Sequence, residues 1–105
     1  LQGLTERDST NSSAFNNLGV VRSRLAQWAE SEPSYRRSIA LQPRFVSAWT
    51  NLGSALYHQG RFDAVDSLAT EAERNFGADS PVPLRLRAYA QGGRGDLVAA
   101  EATAR

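Results

Sequence analysis

Side chains able to do acid–base, nucleophilic or metal chemistry are scarce in this 105-residue chain. There is no cysteine, and His58 is the single histidine. These counts exclude disulfides, thiolate metal sites and zinc sites built from several imidazoles. Histidine is the residue type suited to proton transfer at neutral pH, so His58 is the one acid–base candidate. Nothing sets a serine nucleophile and an orienting carboxylate around it at a catalytic spacing. The sequence therefore predicts a groove or surface residue at 58, no enzyme and no cofactor.

The remaining polar residues suggest binding rather than reaction. Asn17 and Asn51 each carry a carboxamide, which offers a donor and an acceptor to a peptide backbone unit of any sequence. Glu30, Glu32, Glu71 and Glu73 read as solvated helix surface, and Asp63 and Asp66 as complements to a helix N-terminus. Arg36, Arg37 and Arg44 form the densest basic cluster, with Glu30 and Glu32 near enough to neutralise it at helical spacing. Twelve basic residues, all arginine, oppose eleven acidic ones for a net charge of +1. Lysine-free usage resembles that of a GC-rich bacterial genome. The balance predicts no nucleic-acid partner, since that requires a concentrated positive face. No apolar run approaches the roughly 20 residues of a membrane span, so membrane insertion is not expected.

Three short matches are discounted in favour of local structure. Arg94-Gly95-Asp96 and the glycine-rich 92–95 stretch read as a turn between helices, because no strand or phosphate-loop lysine accompanies them. Asn11-Ser12-Ser13 is a glycosylation sequon inside the polar run 9–13, which reads as a helix-capping turn.

Positioning of these residues follows from an internal repeat. Ser13-Ala14-Phe15-Asn16-Asn17-Leu18-Gly19 aligns with Ser47-Ala48-Trp49-Thr50-Asn51-Leu52-Gly53 at five of seven positions, with an offset of 52 − 18 = 34 residues. The same offset sets Trp28 over Phe62 and Pro43 over Gly77. Phe15, Leu18 and Leu25, like Trp49, Leu52 and Leu56, recur at helical spacing. Gly60-Arg61-Phe62-Asp63 returns less cleanly as Gly95-Asp96-Leu97-Val98, and Leu84, Leu86, Ala88, Tyr89 and Ala90 supply an apolar stretch before it.

This pattern resembles the tetratricopeptide repeat (TPR), a helix–turn–helix unit of about 34 residues with the signature W-x-x-L-G-x-x-Y, then A-x-x-x-F, then P. Trp49, Leu52, Gly53 and Leu56 fit the first part, with leucine in place of tyrosine. Phe15, Leu18 and Gly19 fit it again, although Arg22 stands where an apolar residue belongs. Tyr35 and Pro43 match the later part; Ala69 and Gly77 match it less well. The resemblance implies an all-α, right-handed α-solenoid of two full repeats plus a partial third. The expected divisions are an N-terminal segment 1–11, repeats 12–45 and 46–79, and a partial repeat 80–105.

Six helices are expected, at Ser12–Leu25, Trp28–Leu41, Val46–Gln59, Phe62–Phe76, Pro81–Gln91 and Asp96–Arg105. A stub from Leu1 to Asp8 is expected to be the tail of a preceding repeat, with Leu1 and Leu4 facing inward. Gly19 and Gly53 should admit a closely packed paired helix. Gly60 and Gly77 should supply turn and C-cap conformations, and Pro81 and Pro83 a first helical turn. Pro33 lies beyond the first turn of a helix starting at Trp28, so a late start capped by Ser31 is expected.

By resemblance, the first helix of each pair lines a concave binding surface. That assigns peptide binding to Asn16, Asn17, Val20 and Arg24, then Thr50, Asn51, Ser54, Tyr57 and His58, then Arg85 and Tyr89. Ser13, Ser47 and Val82 fall on the same face. Some TPR proteins, among them glycosyltransferases acting on serine and threonine, carry an asparagine ladder there, which Asn17 and Asn51 would match. The carboxylate clamp of TPR co-chaperones is not expected, because Asn16, Val20, Val82 and Leu86 occupy its basic and amide places. The implied partner is a protein or peptide. No polar cap is evident at either end, and Leu97 to Ala104 reads as a small-residue amphipathic helix without a mate. Further repeats, or other copies of the chain stacking end to end, are expected to cover those ends. A start at Leu1 with no signal-peptide pattern is read as a processed product or a piece of a longer chain.

Overall fold

The computed structural model describes the backbone of residues 2–104 and the side chains of residues 10–93. It is all-helical: α1 (Gln2–Arg24), α2 (Trp28–Leu41), α3 (Val46–His58), α4 (Phe62–Phe76) and α5 (Pro81–Ala104). Each helix packs on the next in sequence. In addition α1 touches α3 and α3 touches α5, so these three form one row, with α2 and α4 in the other. The radius of gyration is 15.1 Å, above the roughly 13 Å of a compact chain of this length. The extents of 61 × 33 × 14 Å confirm a flat, elongated body.

Two tight turns of identical design close the hairpins α1–α2 and α3–α4. In the first, Gln27 N donates to Arg22 O (2.9 Å) and Ala26 N to Ser23 O (2.9 Å). In the second, Arg61 N donates to Leu56 O (3.0 Å) and Gly60 N to Tyr57 O (2.9 Å). Both are Schellman caps, 34 residues apart, and both need a left-handed residue. Gly60 supplies it at φ 73°; in the first hairpin Ala26 takes φ 58°. Gly77 closes α4 at φ 92°, as expected of a residue standing where Pro43 stands in the first repeat.

The core lies in the second half of the molecule. Trp49, Leu52, Ala55 and Leu56 of α3, Val65, Leu68, Ala69 and Ala72 of α4, and Val82, Leu86 and Ala90 of α5 bury together, with Tyr35 of α2 joining them. Gly19 lies against the Tyr35 ring of its paired helix, so a Cβ there would overlap three ring atoms. Gly53 instead lies against Leu86 of α5, so its close approach serves the next element rather than its own partner. Arg87 staples α5 to α4 through Glu73 and, at 3.2 Å, through Asp66. The hydrogen bonding it donates to Glu73, then the two negative charges, outweigh partial burial and hold its guanidinium even more firmly protonated.

Several expectations need correction. The breaks at 9–13 and 92–95 do not occur: α1 and α5 run through them, giving five helices instead of six and a stub. Serine and glycine lower helix propensity by about 0.5–1 kcal/mol each, which packing can override. Gly93 shows how, because a Cβ there would collide with the Phe62 ring. The glycine answers a close helix contact and not a turn. Helix α2 begins at Trp28 with Pro33 inside it, and the Ser31 hydroxyl donates back to Trp28 O (2.7 Å) instead of capping. Pro33 and Ala29, whose carbonyl loses its i+4 donor, are both exposed, so the freed group is not shut into the core.

Leu18 and Leu25, placed on an apolar face by spacing, are 40 % and 64 % exposed. The corresponding α3 face is covered by α2, whereas nothing among the described residues covers this side of α1. The acidic residues are engaged across helices: Glu32 pairs with Arg61 (2.8 Å) and Glu71 with Arg36 (3.1 Å). Neighbours on the same helix do not neutralise the basic cluster as expected. The roles expected of Leu1, Leu4 and the 97–104 face lie outside the described side chains.

Candidate functional site

The row α1–α3–α5 presents two adjoining depressions that share Ser54. The first, about 270 Å³, is lined by Val20, Ser23, Arg24, Trp28, Tyr35, Asn51 and Ser54. The second, about 310 Å³, is lined by Ser54, Tyr57, His58, Tyr89 and Gly92. Helical geometry explains the sharing. Asn51, Ser54 and His58 are three and four residues apart, hence stacked on one stripe of α3, with Tyr57 beside it.

Seven of the eleven residues expected to bind peptide meet here: Val20, Arg24, Asn51, Ser54, Tyr57, His58 and Tyr89. Four do not line either depression. Asn16 is 7 % exposed, a correction to its expected surface place. It accepts a hydrogen bond from Asn51 Nδ2 (3.0 Å) and so orients that amide at the groove floor. The Thr50 hydroxyl turns back to Val46 O (3.1 Å). Asn17 and Arg85 are exposed outside the depressions. Val82, expected on the same face, is buried in the core, because the α4 packing surface takes that side of α5.

Aromatic rings run along the groove as a connected chain. Trp28 stacks on His58 with centroids 4.1 Å apart and planes 10° from parallel. Tyr57 meets His58 edge-on at 5.6 Å and Tyr89 at 6.1 Å, tilted by 50°. His58 Nδ1 donates to the Ser54 carbonyl (2.8 Å), which fixes the imidazole flat against the indole. The Ser54 hydroxyl also lies 3.4 Å from this Nδ1, whose proton the carbonyl already takes. Trp28 was not among the expected site residues. The 34-residue offset set it over Phe62 without a role; α2 begins there and brings the ring to the groove edge.

Charge is sparse. Among the described residues Arg24 is the one formally charged side chain on the lining, and none of their carboxylates lines it. Among the described residues no cluster of histidine, aspartate and glutamate could hold a metal ion, and no helix is long and apolar enough to cross a membrane. Burial raises the Tyr35 hydroxyl above its ordinary 10.0, and the hydrogen bond with Ser23 partly offsets this. The contact joins Tyr35 Oη and Ser23 Oγ at 2.9 Å beneath the first depression. No family model matches the chain, and neither a curated protein nor a solved structure matches it.

Proposed function

We propose that the chain is a TPR-type helical scaffold, a right-handed solenoid segment that binds an extended peptide of a protein partner along the α1–α3–α5 face. The observation that carries this reading is the groove: residues from three different helices, expected from a 34-residue register, line two adjoining depressions. Identically built Schellman caps at that same offset support the repeat reading. Asn51, held by Asn16, keeps its amide oxygen for a ligand N–H, while Ser54 joins the two depressions.

Selection from a random-peptide library, followed by calorimetry on the enriched peptides, tests the proposal. Ser54→Arg, which fills the junction, should weaken binding at least about tenfold, a loss of about 1.4 kcal/mol. Asn51→Ala should weaken it by several-fold, and Asn17→Ala should leave it unchanged. Binding that survives both groove substitutions rejects the site.

A second reading, self-association, rests on the uncovered stripe of Leu18, Val21 and Leu25 on α1, with Val21 53 % exposed. The repeat equivalents of Leu18 and Val21, Leu52 and Ala55, are buried, and that of Leu25, Gln59, is half-buried, which favours another helix covering this stripe. A second copy stacking there would assemble the chain end to end. Light scattering across dilution decides it: a concentration-dependent mass supports the reading, and a constant monomer rejects it.

A further inference from the structure

Resting on the peptide-binding reading, we propose that the ligand class of the groove is a proline-bearing segment in the polyproline II conformation, lodged on the Trp28–His58–Tyr57–Tyr89 ridge.

Three features of the lining select this class. The first is spacing. Neighbouring rings lie 4.1, 5.6 and 6.1 Å apart. A flat guest sandwiched between two rings needs them about 7 Å apart, twice a van der Waals contact. The ridge therefore has no slot for an intercalated base or aromatic side chain. What it offers is a series of ring faces and shallow notches, onto which the puckered edges of pyrrolidine rings fit. The second is charge. A cage for a quaternary or methylated ammonium combines aromatic faces with a negative field, and among the described residues this lining holds no carboxylate. A cationic ligand would also face Arg24 at the far end of the groove.

The third is hydrogen-bond sense. The Tyr57 and Tyr89 hydroxyls and the Trp28 indole N–H make no hydrogen bond to another described residue; the indole only donates and each hydroxyl can donate, so the ridge offers three donors. A proline segment has carbonyl acceptors and no N–H of its own. It is the peptide chemistry that these donors satisfy best, and its preformed helix costs little ordering entropy on binding. Its rings recur on one edge every third residue, so a short segment repeats the same contact along the groove.

Fluorescence anisotropy with a fluorescein-labelled oligoproline of about nine residues, three turns of polyproline II, supplies the test. A glycine–serine peptide of equal length is the comparison. Oligoproline should bind and shift the Trp28 emission, and the glycine–serine peptide should not bind. Tyr89→Ala, at a site 38 % exposed, should weaken oligoproline about tenfold. Tyr57→Phe keeps the half-buried ring and removes only the donor, so a loss of about threefold is expected. Asn17→Ala should change nothing, and far-UV circular dichroism should show every variant helical. Oligoproline that fails to bind, or that binds Tyr89→Ala as well as the parent, overturns the inference. If library peptides without proline bind while oligoproline does not, the ligand class is wrong and the groove stands. If no peptide binds, both readings fall.

Discussion

The two hairpins share one register and differ in what fills it. In α4 the buried places are Val65, Leu68, Ala69 and Ala72; the residues 34 positions earlier in α2 are Ser31, Ser34, Tyr35 and Ser38, buried too, and at three of the four a serine stands in α2. Arg22 of α1 stands at the place of Leu56. The aliphatic set withdraws apolar surface from water, worth roughly 1.5–3 kcal/mol for a fully buried Val or Leu. The serine set gains little from burial and is held by hydrogen bonds. Ser12 and Ser38 exchange them at 2.8–3.0 Å, and Arg22 donates to Ser34 Oγ (3.2 Å) and Glu30 O (3.0 Å). Each such bond is worth about 1 kcal/mol net. One backbone design thus carries a stable second hairpin and a weaker first one. The groove lies across the seam between them.

The strongest attempt to break this contrast is a pair of truncations at equivalent places. Leu68→Ala should cost about 2–5 kcal/mol, whereas Ser34→Ala, which removes one acceptor of Arg22, should cost about 1 kcal/mol. Urea midpoints of the two variants measure it, and equal losses would refute the asymmetry. Next in size is the glycine pair. Gly19→Ala drives a methyl into a rigid Tyr35 ring, with overpacking of about 1–3 kcal/mol set against roughly 1 kcal/mol of helix propensity gained. Gly53→Ala meets the far end of a flexible Leu86 side chain. The first variant should therefore be the less stable of the two in thermal melts.

The turns give a prediction of opposite sign. Ala26 holds the left-handed conformation that Gly60 adopts without strain. Ala26→Gly should stabilise the first hairpin by up to about 1 kcal/mol, read as a rise in melting temperature. Gly60→Ala should destabilise the second by a similar amount. The smallest effect is alkaline. Because burial holds the Tyr35 hydroxyl above its ordinary 10.0, the unfolded chain loses that proton first as the pH rises. The contribution is intact below about pH 10 and declines above it. Tyr35→Phe should flatten that part of the stability-versus-pH curve.

Legibility followed the physics of each signal. Helices with clear boundaries were readable because Pro43, Gly60 and Gly77 constrain the backbone whatever surrounds them. Breaks expected at 9–13 and 92–95 were misread, since serine and glycine only weaken a helix. Phe62 against Gly93 shows a tertiary contact using the missing side chain. On the groove, Asn51, Ser54, Tyr57 and His58 were readable together because one helix stripe carries them. Trp28 was not, because its ring reaches the groove from the start of α2 through its stack with His58. Asn16 and Asn17 are adjacent in sequence, and spacing assigned both to the surface. Only the approach of α3 makes the first a buried support for Asn51 and leaves the second in solvent.

By itself the sequence determined the all-helical class, the 34-residue register and the poverty of reactive side chains. Those depend on periodicity and composition, which are local or countable. The tertiary structure alone decided which apolar stripe is covered, which asparagine is buried and which rings form the ridge. Each of these depends on a neighbouring helix arriving from a distant part of the chain, and no local preference of a residue specifies that arrival.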